Sequence, residues 1–159
     1  DVATADVTGA YLNADLDDFT LLKLEGESVT IMCDVCAEYT KFVCYEHGKK
    51  VLCLQLLKAL YGCVKSALLW YELFSRTLQG VGFELNPYDT CVANKTIDGK
   101  QCTIARYVDD SKISHVDTQV VTGVIERIEE RFGKMAVTRE KSTLSWEWAL
   151  SFMITALQA

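Results

Sequence analysis

The chain has 159 residues, half of them apolar, and a formal net charge of −6. That length suits one domain, or one domain plus a lobe, with a real core, and the apolar fraction excludes a disordered chain. No apolar run approaches the roughly 18 residues of a membrane-spanning helix, the opening residues do not read as a secretory leader, and the acidity argues at first sight against a nucleic-acid partner.

The charge is unevenly spread. Residues 1–40 hold nine acids and a single base, Lys23, while the rest of the chain carries a small positive excess. The sequence does not begin with Met, so it is expected to be a piece of something longer.

Thr4–Leu12 reads as a strand-like run ending near Asn13. Phe19–Leu24 and Val29–Met32 read as strands split by a turn at Gly26. Phe42–Tyr45 and Val51–Leu54 read as a hairpin closed by His47-Gly48-Lys49. Leu57, Leu60, Tyr61, Val64, Leu68, Tyr71, Phe74 and Leu78 recur at helical spacing. That helix is expected to start near Ser66, a good N-cap, and to stop at Gly80 or Gly82. Asp98-Gly99 is a strong hairpin-turn signal. Cys102–Val108 and Ser111–Val116 flank Asp109-Asp110 as two short strands. Val120, Val121, Val124, Ile125, Ile128 and Phe132 mark a second amphipathic helix, with Asp117 to cap its start and Gly133 its end. The order predicts an α+β fold, antiparallel strands under two helices.

The seven cysteines point to a reduced, intracellular setting. Cys33 and Cys36 form a CxxC, with His47, Cys44 and Cys53 nearby. Zinc sites use a second pair at knuckle spacing, and the nine-residue gap between Cys44 and Cys53 is irregular, so plain core or surface cysteines are the simpler reading. A small zinc module around Cys33–Cys53 is the alternative.

Two features carry chemistry. Tyr107-Val108-Asp109-Asp110 places adjacent acids between two strands. Adjacent strand residues point to opposite faces, but a tight turn lets them converge. Asp6 lies in an apolar strand, where an acid is costly unless solvated, paired or metal-bound. Three carboxylates from neighbouring strands could hold two Mg²⁺ ions about 3.5–4 Å apart, as phosphoryl-transfer sites do. Taken singly, the acids read equally well as solvated turn residues. Tyr11 and Tyr61 read as ordinary core, and Lys65 as a solvated lysine.

Asp6–Asn13 (DVTGAYLN), Leu57–Tyr71 (LKALYGCVKSALLWY) and Tyr107–Asp110 (YVDD) stand in an order and spacing that resembles the reverse transcriptase of copia-type LTR retrotransposons. Asn86–Cys91 (NPYDTC) and Arg131–Val137 (RFGKMAV) resemble that family's linking segments, and the likeness runs over residues 3–139. The resemblance implies an RNA-directed DNA polymerase that adds dNTPs to a primer on an RNA or DNA template, with two Mg²⁺ ions (or Mn²⁺) as cofactors. It implies a palm subdomain of a right-hand polymerase with part of the fingers: residues 1–15 and 61–139 palm, 16–60 fingers. Asp6, Asp109 and Asp110 match the catalytic, metal-binding acids, and the Val7 carbonyl would also touch metal. Tyr11 matches the aromatic gate that excludes a 2′-hydroxyl. Tyr61 and Gly62 match the segment lining the nucleotide pocket, and Tyr107 would lie against the primer end. Ribonuclease H and integrase domains of the same polyprotein would be partners, no membrane is implied, and the setting would be cytoplasmic virus-like particles.

The chain also departs from that pattern. The basic finger segment before Asp6 is missing, so residues 1–159 alone are expected to be inactive, and a non-catalytic remnant that binds nucleic acid or protein is the alternative. Lys65 and Ala67 stand where the family has Gln and Pro. Arg106 stands where an apolar or aromatic residue is usual, at a cost of several kcal/mol if buried and unpaired, less if it snorkels to the edge. Residues 140–159 do not resemble the family's FLGMxIxF continuation. Trp and Met have single codons, so the bases behind Trp146–Ala149 are nearly fixed, and a one-base shift forces Gly, then Met or Val, then Gly. With permitted codons elsewhere, the shifted frame from Arg139 reads GKKHTFLGMGIEFHDNGTAS. The tail is therefore expected to be a frameshift product.

Overall fold

The computed structural model describes residues 1–139, and the frameshift reading of residues 140–159 lies outside them. In chain order the elements are β1 (Val2–Asp6), a 3-10 turn (Ala10–Asn13), β2 (Asp15–Glu25), α1 (Glu27–Val35), a second 3-10 turn (Ala37–Phe42), β3 (Cys44–Glu46), β4 (Lys49–Lys58), α2 (Ser66–Gly80), β5 (Glu84–Leu85), β6 (Val92–Ile97), β7 (Lys100–Tyr107), β8 (Asp110–Ser114), α3 (Thr118–Phe132) and β9 (Ala136–Arg139). The fold is α+β with antiparallel sheets, as the element order predicts. Its described residues divide into two compact units: 1–8 with 81–139, and Gly9–Gly80.

The first unit holds a six-stranded sheet in the order β5-β6-β7-β8-β1-β9, among the described residues. Alternation along the strands sorts its faces. Ala3 and Ala5 of β1, Ile113 of β8 and Cys102 and Ile104 of β7 are buried, as is Val7 just past β1. The apolar stripe of α3, Val121, Val124, Ile125 and Ile128, is buried too, and α3 packs on β1. Asp117 caps α3, its carboxylate accepting from the Gln119 N–H at 2.8 Å, and Gly133 ends it at φ 84°. Both caps are the expected ones.

The second unit holds a three-stranded sheet, β2-β4-β3. Glu46 pairs with Lys49 around His47-Gly48, whose φ values of 49° and 77° are those of a type I′ turn, so the expected hairpin forms. Four expectations need correction. The strand expected to run to Leu12 stops at Asp6, and Gly9 (φ 66°) starts a 3-10 turn held by the Asn13 amide donating to the Gly9 and Ala10 carbonyls. Val29–Met32 is helical, with Val29 buried where α1 packs on β2 and β4. Leu57 belongs to β4, so the helical spacing that includes it overruns the true start. α2 does begin at Ser66, but the hydroxyl donates to the Leu60 carbonyl at 2.7 Å instead of capping. Its buried face is Trp70, Phe74 and Leu78, and Leu68 is exposed.

Candidate active site

The sheet of the first unit sets the acids in register. β1 and β8 pair antiparallel with Asp6 directly opposite Asp110, and β7 and β8 pair with Tyr107 opposite Asp110. Tyr107, Asp110 and Asp6 therefore form one row across three strands, on the face opposite the buried Ala5, Ser111 and Arg106. Directly opposed side chains have Cβ atoms about 4.5–5.5 Å apart, and like charges so placed destabilise a sheet.

Asp109 stands at the tip of the β7–β8 hairpin. The turn is Val108-Asp109, not Asp109-Asp110 as the strand pattern suggests, because Asp110 already pairs with Tyr107. Val108 sits at φ 55°, and it is the only one of the two turn residues with positive φ, the pattern of a type II′ turn. Such a φ is a genuine outlier for a β-branched residue. The buried Val7 donates its N–H to the Asp109 carbonyl at 3.1 Å, which ties the end of β1 to the hairpin tip.

Asp110 feels the other two acids. Desolvation raises the Asp110 carboxyl above its ordinary value, and the charges of Asp109 and Asp6 raise it further. The donors are hard carboxylate oxygens, the chemistry a Mg²⁺-type cation requires. Among the described residues, however, no group of three or more His, Cys, Asp or Glu side chains is gathered closely enough to hold a metal ion. That applies equally to Cys33, Cys36, Cys44, His47 and Cys53.

Tyr11, Tyr61 and Gly62 belong to the second unit. Tyr11 lies on the Ala10–Asn13 turn, not on a strand, and its ring meets that of Tyr61 with centroids 4.3 Å apart at 31°. Gly62 adopts φ 95° beside them, a conformation that favours glycine. Lys65 is ion-paired to Asp18, with Asp17 3.8 Å away, and the Asp18 carboxylate raises its ammonium further.

Arg106 is 4 % exposed, so it does not snorkel. Its Nη2 donates to the Thr90 carbonyl at 2.9 Å and its backbone N–H to the Cys91 carbonyl at 3.1 Å. These bonds fasten the 86–91 loop to the strand that leads into the acids. Sequence reasoning flagged the burial but missed the partner, since a carbonyl acceptor leaves no trace in residue identity.

A family model described as reverse transcriptase (RNA-dependent DNA polymerase) matches residues 1–150. No curated protein matches the chain.

Proposed function

The chain belongs to the reverse transcriptase family, and we propose that Asp6, Asp109 and Asp110 are the metal-binding acids of a template-directed DNA polymerase centre. The observation that carries this reading is the direct pairing of Asp6 with Asp110 across β1 and β8, a costly placement of like charges at one end of a sheet. Two Mg²⁺ ions there would ease deprotonation of a primer 3′-hydroxyl and offset the charge of the triphosphate and its pyrophosphate leaving group. Asp6, Asp109 and Asp110 would hold them once their carboxylates turn toward one another, with the Val7 carbonyl as a further oxygen. Tyr107, in the same row, would lie against the primer end. Tyr11 would sit under the sugar and favour dNTP over NTP, with Tyr61 and Gly62 lining the nucleotide pocket.

On this reading the six-stranded unit is palm, part of the Gly9–Gly80 unit is fingers, and the lineage is copia-type, supported by the DVTGAYLN, LKALYGCVKSALLWY and YVDD blocks. RNA or DNA template, ribonuclease H and integrase would be its partners, in the particles of the element. Residues 1–159 alone should extend no primer, and robust extension in a primer-extension assay with Mg²⁺ or Mn²⁺ would refute this.

Thermal unfolding with increasing Mn²⁺ or Mg²⁺ tests the centre. The intact chain should gain stability saturably, and Asp6→Asn or Asp110→Asn should abolish the gain. Asp117→Asn, which keeps the α3 cap, should not. Equal gains in all four proteins would refute the site. They would favour the second reading, a non-catalytic remnant that binds nucleic acid or protein, for which the absence of a closed ligand cluster among the described residues speaks.

A further inference from the structure

Cys33 and Cys36 take no part in the polymerase centre, yet they stand together at the end of α1. The Cys36 N–H donates to the Met32 carbonyl at 3.0 Å, so helical bonding reaches Cys36, while its φ of −144° and ψ of 102° have already left the helix. Residues three apart on a helix have Cβ atoms roughly 5–6 Å apart, and a disulfide needs about 3.5–4.5 Å. Cys36 already lies outside the helix, so a turn of its backbone toward Cys33 leaves the helical residues of α1 in place. Both thiols are free and half-buried. Cys33 also lines a cleft of about 350 Å³, with Asp34 of α1 and Tyr45 and Lys50 of the β3–β4 hairpin. The cleft thus offers an ammonium and a carboxylate beside a thiol.

Other thiols lack this arrangement. Cys44 donates its S–H to the Val51 carbonyl and pairs with Val51, whereas Cys53 pairs with Lys23, so the two are not directly opposed. Cys102 is buried in β7.

We propose that Cys33 and Cys36 form a reversible dithiol–disulfide pair, oxidised by a small zwitterionic peptide disulfide such as oxidised glutathione seated in this cleft. The Cys33 thiolate attacks one sulfur of the peptide disulfide, forming a mixed disulfide and releasing one peptide thiol. The Cys36 thiolate then attacks the Cys33 sulfur, forming the internal disulfide and releasing the second thiol. Two electrons and two protons pass from the protein pair to the oxidant. Closure fixes the end of α1 and one wall of the cleft.

The full chain is incubated with oxidised glutathione, blocked with an alkylating agent and read by peptide mass. The expected product is a Cys33–Cys36 peptide short of two hydrogens, formed about tenfold faster than any other thiol reacts. Cys36→Ser should stop at the mixed disulfide on Cys33, and Cys33→Ser should slow modification of Cys36 about tenfold. In urea, where the cleft is gone, that asymmetry should vanish. Equal reactivity of all seven thiols, or an asymmetry that survives urea, overturns the proposal. Should either variant fail to fold, a trivalent phenylarsenical, which bridges neighbouring thiols, decides on the unaltered chain. Capture at Cys33 and Cys36 supports the pair, and capture elsewhere or none overturns it.

Discussion

Asp110 binds its proton more tightly in the folded chain than in the unfolded one, because desolvation and the charges of Asp109 and Asp6 disfavour its anion. Its contribution is therefore favourable below the unfolded value and is lost as pH rises through the folded value. Asp110→Asn should be the more stable protein at about pH 7, by a few tenths of a kcal/mol since the side chain stays open to solvent, and the gap should close towards about pH 4. Urea midpoints at the two pH values measure it. Val108 is the second locus of cost. A β-branched residue at positive φ stores about 1–3 kcal/mol, and glycine loses about 0.5–1 kcal/mol in chain entropy. Val108→Gly should thus gain about 1 kcal/mol in urea unfolding, and a loss of stability would remove the strain from the account. The sequence pointed to these acids through the YVDD block, but the pairing of Asp6 with Asp110 was not legible in it. Residue identity does not specify register between strands so far apart in the chain.

Among the elements, α3 and two hairpins, the one at His47-Gly48 and the one at Asp98-Gly99 (φ 51° and 73°, Ile97 paired with Lys100), were legible because every local signal agreed. α3 has its period, an Asp cap and a terminal Gly, and Asp117→Ala should cost about 1 kcal/mol in thermal or urea unfolding by freeing the Gln119 N–H. A cost near zero would mean that packing on β1 alone fixes the helix start. α1 was illegible for the opposite reason. Val29, Thr30 and Ile31 are β-branched and favour a strand, but the short helix buries Val29 against β2 and β4, and tertiary contact overrides weak propensity. In α2 the apolar period was real but too long. It merged the end of β4 with the helix and placed Leu68 on a face that packing leaves exposed.

At the scale of the whole molecule, β1 is an interior strand, flanked by β8 and β9, although it comes from the first residues of the chain. Amide hydrogen exchange should therefore find Ala3 and Ala5 as protected as β8, and rapid exchange there would contradict the β8-β1-β9 order. The same placement bears on the order of events as the chain is made. The Gly9–Gly80 unit is contiguous and can form once its own residues have emerged. Asp6 must wait for Asp110, roughly a hundred residues later, which at about 5–20 residues per second is on the order of ten seconds. Until then β1 is an unpaired segment, its strand edges open to wrong partners. The first catalytic candidate to be synthesised is thus among the last to find its place.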